Sequence, residues 1–206
     1  MKKLLITGFE PFNGHLLNPS QELVQNLPNQ LGNLALIKAV LPVQHTLAPD
    51  RLLALLNDHQ PEAVLAFGLA ANRTKISLER VAINLMDYRI PDNTGVTITN
   101  QPIDPHGPAA YFSTLPLEAL STALNHAGAP VEISLSAGAY LCNQVFYTLM
   151  HAIAKQNLNI PAGFIHLPAL GKQASESPKT NPLFSLDMLI NAAHLIIHIL
   201  YQAQAT

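Results

Sequence analysis

Charge is scarce in this chain. Asp, Glu, Lys and Arg make up only 12% of its 206 residues, about half the usual share of a soluble domain. The 11 Lys and Arg are scattered and the formal net charge is −2, so there is no electrostatic footprint for a phosphate backbone, and nucleic acid is excluded as a partner. Long apolar runs are missing as well. The best candidate, AAHLIIHIL ending at Leu200, carries two histidines and falls well short of the roughly 18–20 residues of a membrane span, so no membrane partner is expected. There is one cysteine, Cys142, which excludes an internal disulfide framework and any structural zinc site built on several thiolates. The start, MKKLLITGFEPF, has too brief an apolar run before Gly8 for a signal peptide. These absences together read as a cytoplasmic protein, and a surface so poor in charge implies apolar area covered by subunit contacts, hence a homo-oligomer.

What the chain does have is apolar content, 49% of its residues, enough for one substantial core and short of two, so residues 1–206 are read as a single domain. Short apolar runs bounded by Gly, Pro or Asn predict strands at Lys3–Phe9, Leu34–Val43, Ala63–Gly68, Ile76–Asn84, Val131–Gly138 and Gly163–Ala169. Helical spacing between them predicts helices at Pro19–Asn26, with Asn18 as cap, and at Leu47–Asp58, Leu117–Asn125, Cys142–Lys155 and Leu183–Gln202. The alternation argues an α/β sandwich, with a largely parallel sheet covered on both faces and ligands beyond the carboxyl ends of its strands. Two stretches lack periodicity, Asp87–Thr114 and Gly171–Asn181; both are read as functional flaps or subunit-contact arms.

Cys142 lies where an apolar strand stops and an amphipathic helix begins, in SLSAGAYLCNQVFYTLMHAIAKQ. A thiol in the first turn of a helix feels unpaired backbone N–H groups, which favour thiolate and lower its pKa; a small buried hydrophobe is the other reading. His166, alone among apolar residues in GFIHLPAL, is either a satisfied core histidine or the imidazole that a cysteine nucleophile needs within reach. Glu79, in ISLERVAIN, cannot pair with Arg80 on one strand face, because neighbours point to opposite sides. Buried, it needs an imidazole N–H or another cation as partner.

The loop GFEPFNG after the first strand is not a phosphate turn: it lacks both the GxGxxG spacing and a terminal Gly-Lys-Ser/Thr. Phe9 and Phe12 on that loop either pack beneath it or line a pocket. His194 and His198 have zinc-ligand spacing, but no glutamate lies between them. They continue the polar stripe Asp187, Asn191, His194, His198 and Gln202, so no metal site is assigned.

TGFEPFNG followed by NPS, then ISLERVAINLMDYRIPDNTG, SAGAYLCNQVFY and GFIHLPA resemble the pyroglutamyl peptidase I family, the pyrrolidone-carboxylate cysteine peptidases. The blocks run in order from Thr7 to Ala169, about four-fifths of the chain. The resemblance implies a cytosolic omega-peptidase that hydrolyses the N-terminal pyroglutamyl residue of peptides through a thioester and needs no cofactor. It also implies a single three-layer α/β/α sandwich around a mixed, mostly parallel sheet, of phosphorylase/hydrolase type, assembled as a homotetramer. Its catalytic set falls on Cys142, His166 and Glu79. Its substrate-binding residues fall on Phe9, Phe12, Asn18, Ile90 and Leu141, with Arg89 ordering the site. FNG replaces the family's usual FGG, so Asn13 must adopt a glycine-like turn, and GLAANR places Leu69 and Asn72 in a less glycine-rich stretch. Two other classes stay open on the residues themselves. One is a nucleoside phosphorylase-like enzyme, against which the absence of Lys or Arg in GFEPF counts. The other is a non-catalytic, oligomeric small-molecule binding protein with Cys142 merely buried.

Overall fold

The computed structural model describes residues 1–171 and 184–202; the Gly171–Asn181 stretch lies, from residue 172 on, outside the described residues. The first strand, β1 (Lys2–Phe9), sets the layering. A strand turns successive side chains to opposite faces, and here both faces are buried: Leu4 and Ile6 join one apolar cluster, Leu5 and Phe9 the other. Each such fully buried leucine or isoleucine contributes about 1.5–3 kcal/mol relative to exposure.

After β1 the described elements are α1 (Pro19–Asn26), β2 (Gln30–Leu31), β3 (Leu34–Leu41), α2 (Leu47–His59), β4 (Ala63–Leu69), β5 (Ile76–Glu79), β6 (Val81–Ile83), β7 (Ala110–Phe112), α3 (Leu117–His126), β8 (Val131–Ser134), α4 (Leu141–Lys155), β9 (Ala162–Leu167) and α5 (Leu186–Gln202). The main sheet runs β2-β3-β1-β4-β9-β5-β8. Its pairings are parallel except β2 with β3 and β5 with β9. One face packs on α1, α3 and α5, the other on α2 and α4. The α/β sandwich with a mixed, mostly parallel sheet is thus the observed architecture. β1 is followed on one side by β3 and on the other by β4, so its carboxyl end is the switch point where open α/β sheets form a crevice.

Local sequence explains most boundaries. Asn18 caps α1 by accepting from Ser20 N at 3.0 Å, with Pro19 in the first turn. Asn13 takes φ 53°, the left-handed conformation that glycine adopts most readily.

Two predicted strands are shorter than their apolar runs. Ile76–Asn84 splits at Arg80, whose N–H makes the last bond of that edge, to Ser134 O at 2.8 Å, while its carbonyl accepts from Ser113 N at 2.9 Å. The Asn143 carboxamide then grips Ile83 N, Ile83 O and Leu85 O at 2.9–3.0 Å, drawing β6 off the main sheet and onto α4. β8 stops at Ser134 because the next residues fold into a side-chain-bonded loop with Gly138 at φ 80°. The Asp87–Thr114 stretch is likewise structured. It contains β7 and a turn centred on the buried Asp92, whose carboxylate accepts from Thr94 N, Thr94 Oγ1, Val96 N and His45 N. On α5, Asp187, Asn191 and His198 are exposed as a solvated stripe requires, whereas His194 is half-buried.

Candidate active site

Sheet register gathers the site. Gly68 of β4 pairs with His166 of β9, and His166 lies opposite Ser77 of the antiparallel β5. Glu79, two residues on from Ser77, shares its face and reaches His166 diagonally. Its Oε1 lies 2.7 Å from His166 Nδ1. That face is roofed by α4, and Cys142 is the second residue of this helix. A β-carbon placed on Gly68 would lie 2.9 Å from Cys142 Sγ and 2.7 Å from Phe164 Cζ. The thiol therefore rests directly on the strand residue paired with His166, and only glycine leaves it that room. No Sγ–imidazole hydrogen bond is formed, the looser arrangement usual before substrate is bound.

The electrostatics follow from burial. Glu79 has no exposed surface, and burial opposes its charge. The hydrogen bond and charge of His166, the Ser134 hydroxyl and the Arg73 guanidinium outweigh that, so the carboxyl titrates below its ordinary value. An ionised carboxylate only accepts, so Nδ1 carries the ring proton and Nε2 is left as an acceptor. Cys142 departs from the expectation of an acidified thiol. Burial, then the nearby Glu79 charge, push it up to about 12, and Arg73 offsets only part of this. A helix N-terminus is worth roughly 0.3–1 kcal/mol, too little against desolvation of a thiolate packed between sheet and helix, although the residue keeps some exposed surface. The thiol is thus neutral at rest and needs a base.

Beside it lies a narrow cleft of about 10 Å³ lined by Phe9, Phe12, Asn18, Val43, Leu69, Tyr140, Leu141 and Cys142. That is room for roughly one water molecule, so a ligand ring enters only as the aromatic walls part. Phe9 both packs in the core and forms a wall, and Phe12 stands 6.0 Å from the Tyr140 ring. The Asn18 amide is largely committed: Oδ1 accepts from Ser20 N and Oγ, and Nδ2 donates to Glu10 O at 3.1 Å, leaving one N–H over.

Of the residues singled out from the sequence, Glu79 and His166 touch, and Phe9, Phe12, Asn18, Leu141 and Cys142 meet at the cavity. Arg89 and Ile90 do not reach its lining. Strand-like alternation turns Tyr88 inward, where its hydroxyl donates to Gln144 Oε1 at 2.5 Å, and leaves Arg89 exposed. Val43, Tyr140, Gly68 and Arg73 were not identified from the sequence. Arg73 was discoverable, since a buried Glu79 that cannot use Arg80 calls for another cation nearby in the chain. A wider depression of about 500 Å³ at the opposite end of the strands, bordered by Lys2, Glu62, Thr114, Asn159, Ile160 and Pro161, holds neither cysteine nor histidine.

Known proteins match this chain along nearly its whole length. The family model described as pyroglutamyl peptidase matches residues 2–203. Pyrrolidone-carboxylate peptidase 1 of Caldanaerobacter subterraneus subsp. tengcongensis is 40% identical over 203 residues, covering 98% of this chain and 100% of that protein. The pyrrolidone-carboxylate peptidase of Vibrio vulnificus strain YJ016 is 44% identical over 198 residues, 96% of this chain and 92% of that one. A crystallised variant of pyrrolidone carboxyl peptidase from the hyperthermophile Pyrococcus furiosus superposes with a TM-score of 0.93 at 37% identity, covering 98% of this chain and 99% of that one. Sequence and fold agree from end to end, and the chain belongs to the pyroglutamyl peptidase family.

Proposed function

We propose that this chain is a cysteine peptidase that hydrolyses the N-terminal pyroglutamyl residue from peptides, with Cys142 as nucleophile, His166 as general base and acid, and Glu79 as the group that orients the imidazole. The observation that carries the reading is a neutral thiol at the mouth of a small apolar cavity, on the strand residue paired with a histidine whose far nitrogen is held by a buried carboxylate.

His166 Nε2 takes the Cys142 proton as Sγ attacks the carbonyl that follows the pyrrolidone ring, which turns a thiol held neutral by burial into a nucleophile only when substrate is present. Charge builds on the carbonyl oxygen. Tyr140 supplies no capping side chain to α4, so the amides of its first turn are not occupied by a cap and can receive that oxyanion, each donor worth roughly 3–4 kcal/mol. The imidazolium protonates the leaving amine. Water, deprotonated by the same imidazole, then cleaves the thioester and releases pyroglutamate.

Specificity is explained by what the substrate end lacks. A pyroglutamyl terminus has no ammonium, and its ring suits a slot walled by Phe9, Phe12 and Tyr140. With Leu69 in the wall, the remaining N–H of Asn18 and backbone groups are left to meet the lactam. A charged N-terminus would lose its hydration there without a counterion, a penalty of several kcal/mol.

We also propose that the chain is one domain, acting in the cytoplasm as a homotetramer. Supporting this are the single main sheet with both faces covered, the low charge, and exposed Phe112 and Leu135, each 71% accessible. Among the described residues no helix is long and apolar enough to cross a membrane. Sedimentation at micromolar concentration giving the mass of one chain overturns the tetramer. For the activity, purified protein is expected to cleave a pyroglutamyl-amide reporter and to ignore the prolyl analogue. Full activity in Cys142→Ser, or after thiol alkylation, refutes the mechanism.

A further inference from the structure

We infer that Arg73 is a positioning residue for this hydrolysis: its guanidinium ties the Glu79 carboxylate to the loop that leads into Cys142, holding the imidazole's partner and the nucleophile's loop in one frame. This rests on the roles given above to Cys142, His166 and Glu79.

The geometry is that of a clamp. Arg73 Nη1 donates to Glu79 Oε1 at 2.6 Å, the same oxygen that holds His166 Nδ1 at 2.7 Å. Its Nη2 donates to Ser136 O at 2.7 Å. Ser136 belongs to the turn between β8 and α4, where Ser134 Oγ also donates to Ser136 O, and Gly138 N donates to Ser136 Oγ. That turn runs into Tyr140, Leu141 and Cys142. Arg73 is itself fixed, since its backbone N–H closes a turn onto Ala70 O at 2.9 Å. A planar guanidinium can serve two acceptors from two nitrogens at once, which a lysine ammonium on a flexible stem does poorly.

Among the described residues no other cation does this work for Glu79. Arg80 points away to the exposed Glu118, 2.7 Å distant. The second carboxylate oxygen, Glu79 Oε2, is buried without a hydrogen-bond partner, so the two charged partners, imidazole and guanidinium, both hold Oε1, with the Ser134 hydroxyl adding to them. Remove the guanidinium and the carboxylate, still desolvated, takes up a proton at higher pH. A neutral carboxyl group can donate as well as accept, so it no longer dictates that Nδ1 carry the ring proton, and Nε2 is no longer reserved as the base. Loss of the bond to Ser136 frees the loop ahead of Cys142 at the same time.

The test compares wild type with Arg73→Met and Arg73→Lys, using the pyroglutamyl-amide reporter across the acid limb of the pH profile. In parallel, the rate of Cys142 alkylation by iodoacetamide is followed against pH, which needs no turnover. Arg73→Met is expected to lower kcat about 10- to 100-fold, the worth of one charge-assisted hydrogen bond, with KM changed less than about twofold. Its acid limb and its alkylation profile should both move to higher pH, because Arg73 is the positive charge favouring ionised Glu79 and thiolate alike. Arg73→Lys, keeping charge without the fork, should recover part of the loss. Arg73→Gln, uncharged but able to donate to Ser136 O, takes the place of the methionine variant if that one does not fold. Unchanged kcat and alkylation profile overturn the inference, as does a lowered Tm with both pH profiles in place. If wild type fails to cleave the reporter, the proposed activity falls, while the alkylation profiles still decide the role of Arg73.

Discussion

Gly68→Ala adds one methyl group where the structure has none to spare. Its β-carbon would sit 2.7 Å from Phe164 Cζ and 2.9 Å from Cys142 Sγ, closer than real β-carbons approach either atom. Relief requires Phe164 to swing, against Phe9 at 6.4 Å and Phe146 at 6.0 Å between ring centroids, or Cys142 to lift off the strand. Overpacking a filled core costs typically 1–3 kcal/mol, and in a chain of this length each kcal/mol lowers Tm by roughly 2–4 °C. Misplacing the nucleophile by about 1 Å costs on the order of 100-fold in kcat. Calorimetry should therefore show a loss of about 2–12 °C, and the reporter assay a fall in kcat approaching two decades with a smaller change in KM. Phe164→Leu removes the nearest colliding ring atoms. Combined with Gly68→Ala, it should give a double mutant less destabilised than the sum of the singles, a coupling of about 0.5–3 kcal/mol. Wild-type kcat and Tm in Gly68→Ala would refute the seating of the thiol on β4.

Three further outcomes follow from the same contacts. Glu79→Gln should lower kcat with little effect on KM and flatten the acid dependence of stability: the folded carboxyl titrates below its ordinary value of 4.5, so its contribution is complete above that pH and drains away as pH falls below it; denaturant midpoints at neutral and acid pH check this, and a variant whose acid dependence matches wild type removes the linkage. Asn143→Ala removes a partner from Ile83 N, Ile83 O and Leu85 O, of which Ile83 O keeps Leu85 N, at a cost of about 1–3 kcal/mol where the freed groups stay buried, and hydrogen exchange should quicken in β6 more than in β1. Asn13→Gly relieves a positive φ of 53° and should leave stability within about 1 kcal/mol of wild type, whereas Asn13→Val should lower it; equal midpoints for the glycine and valine variants would contradict the left-handed turn.

Much of this was legible in the chain because it depends on local rules. The alternation of buried runs with amphipathic stretches determined the α/β class, since a strand that is apolar on both faces needs helices over both. Asn18–Pro19 announced the start of α1, while the left-handed Asn13 was implied by the family resemblance, FNG standing for FGG. The thiol, the histidine and the carboxylate were identifiable as chemical types. What the sequence could not supply was their electrostatic setting. A helix start suggested an acidified Cys142, but its pKa depends on how deeply α4 presses the thiol against Gly68, and burial outweighs the helix dipole. The break at Arg80 was hidden for a similar reason: Ser113 and Asn143, distant in sequence, take up the backbone groups of Arg80 and Ile83. Likewise the register of β5 against β9 set Glu79 on His166, and the loop path after β4 delivered Arg73 to the same oxygen. Periodicity and turn chemistry act between residues a few positions apart, so they are written in the sequence itself. Desolvation and long-range pairing arise between residues that only the folded sheet and its helices bring together.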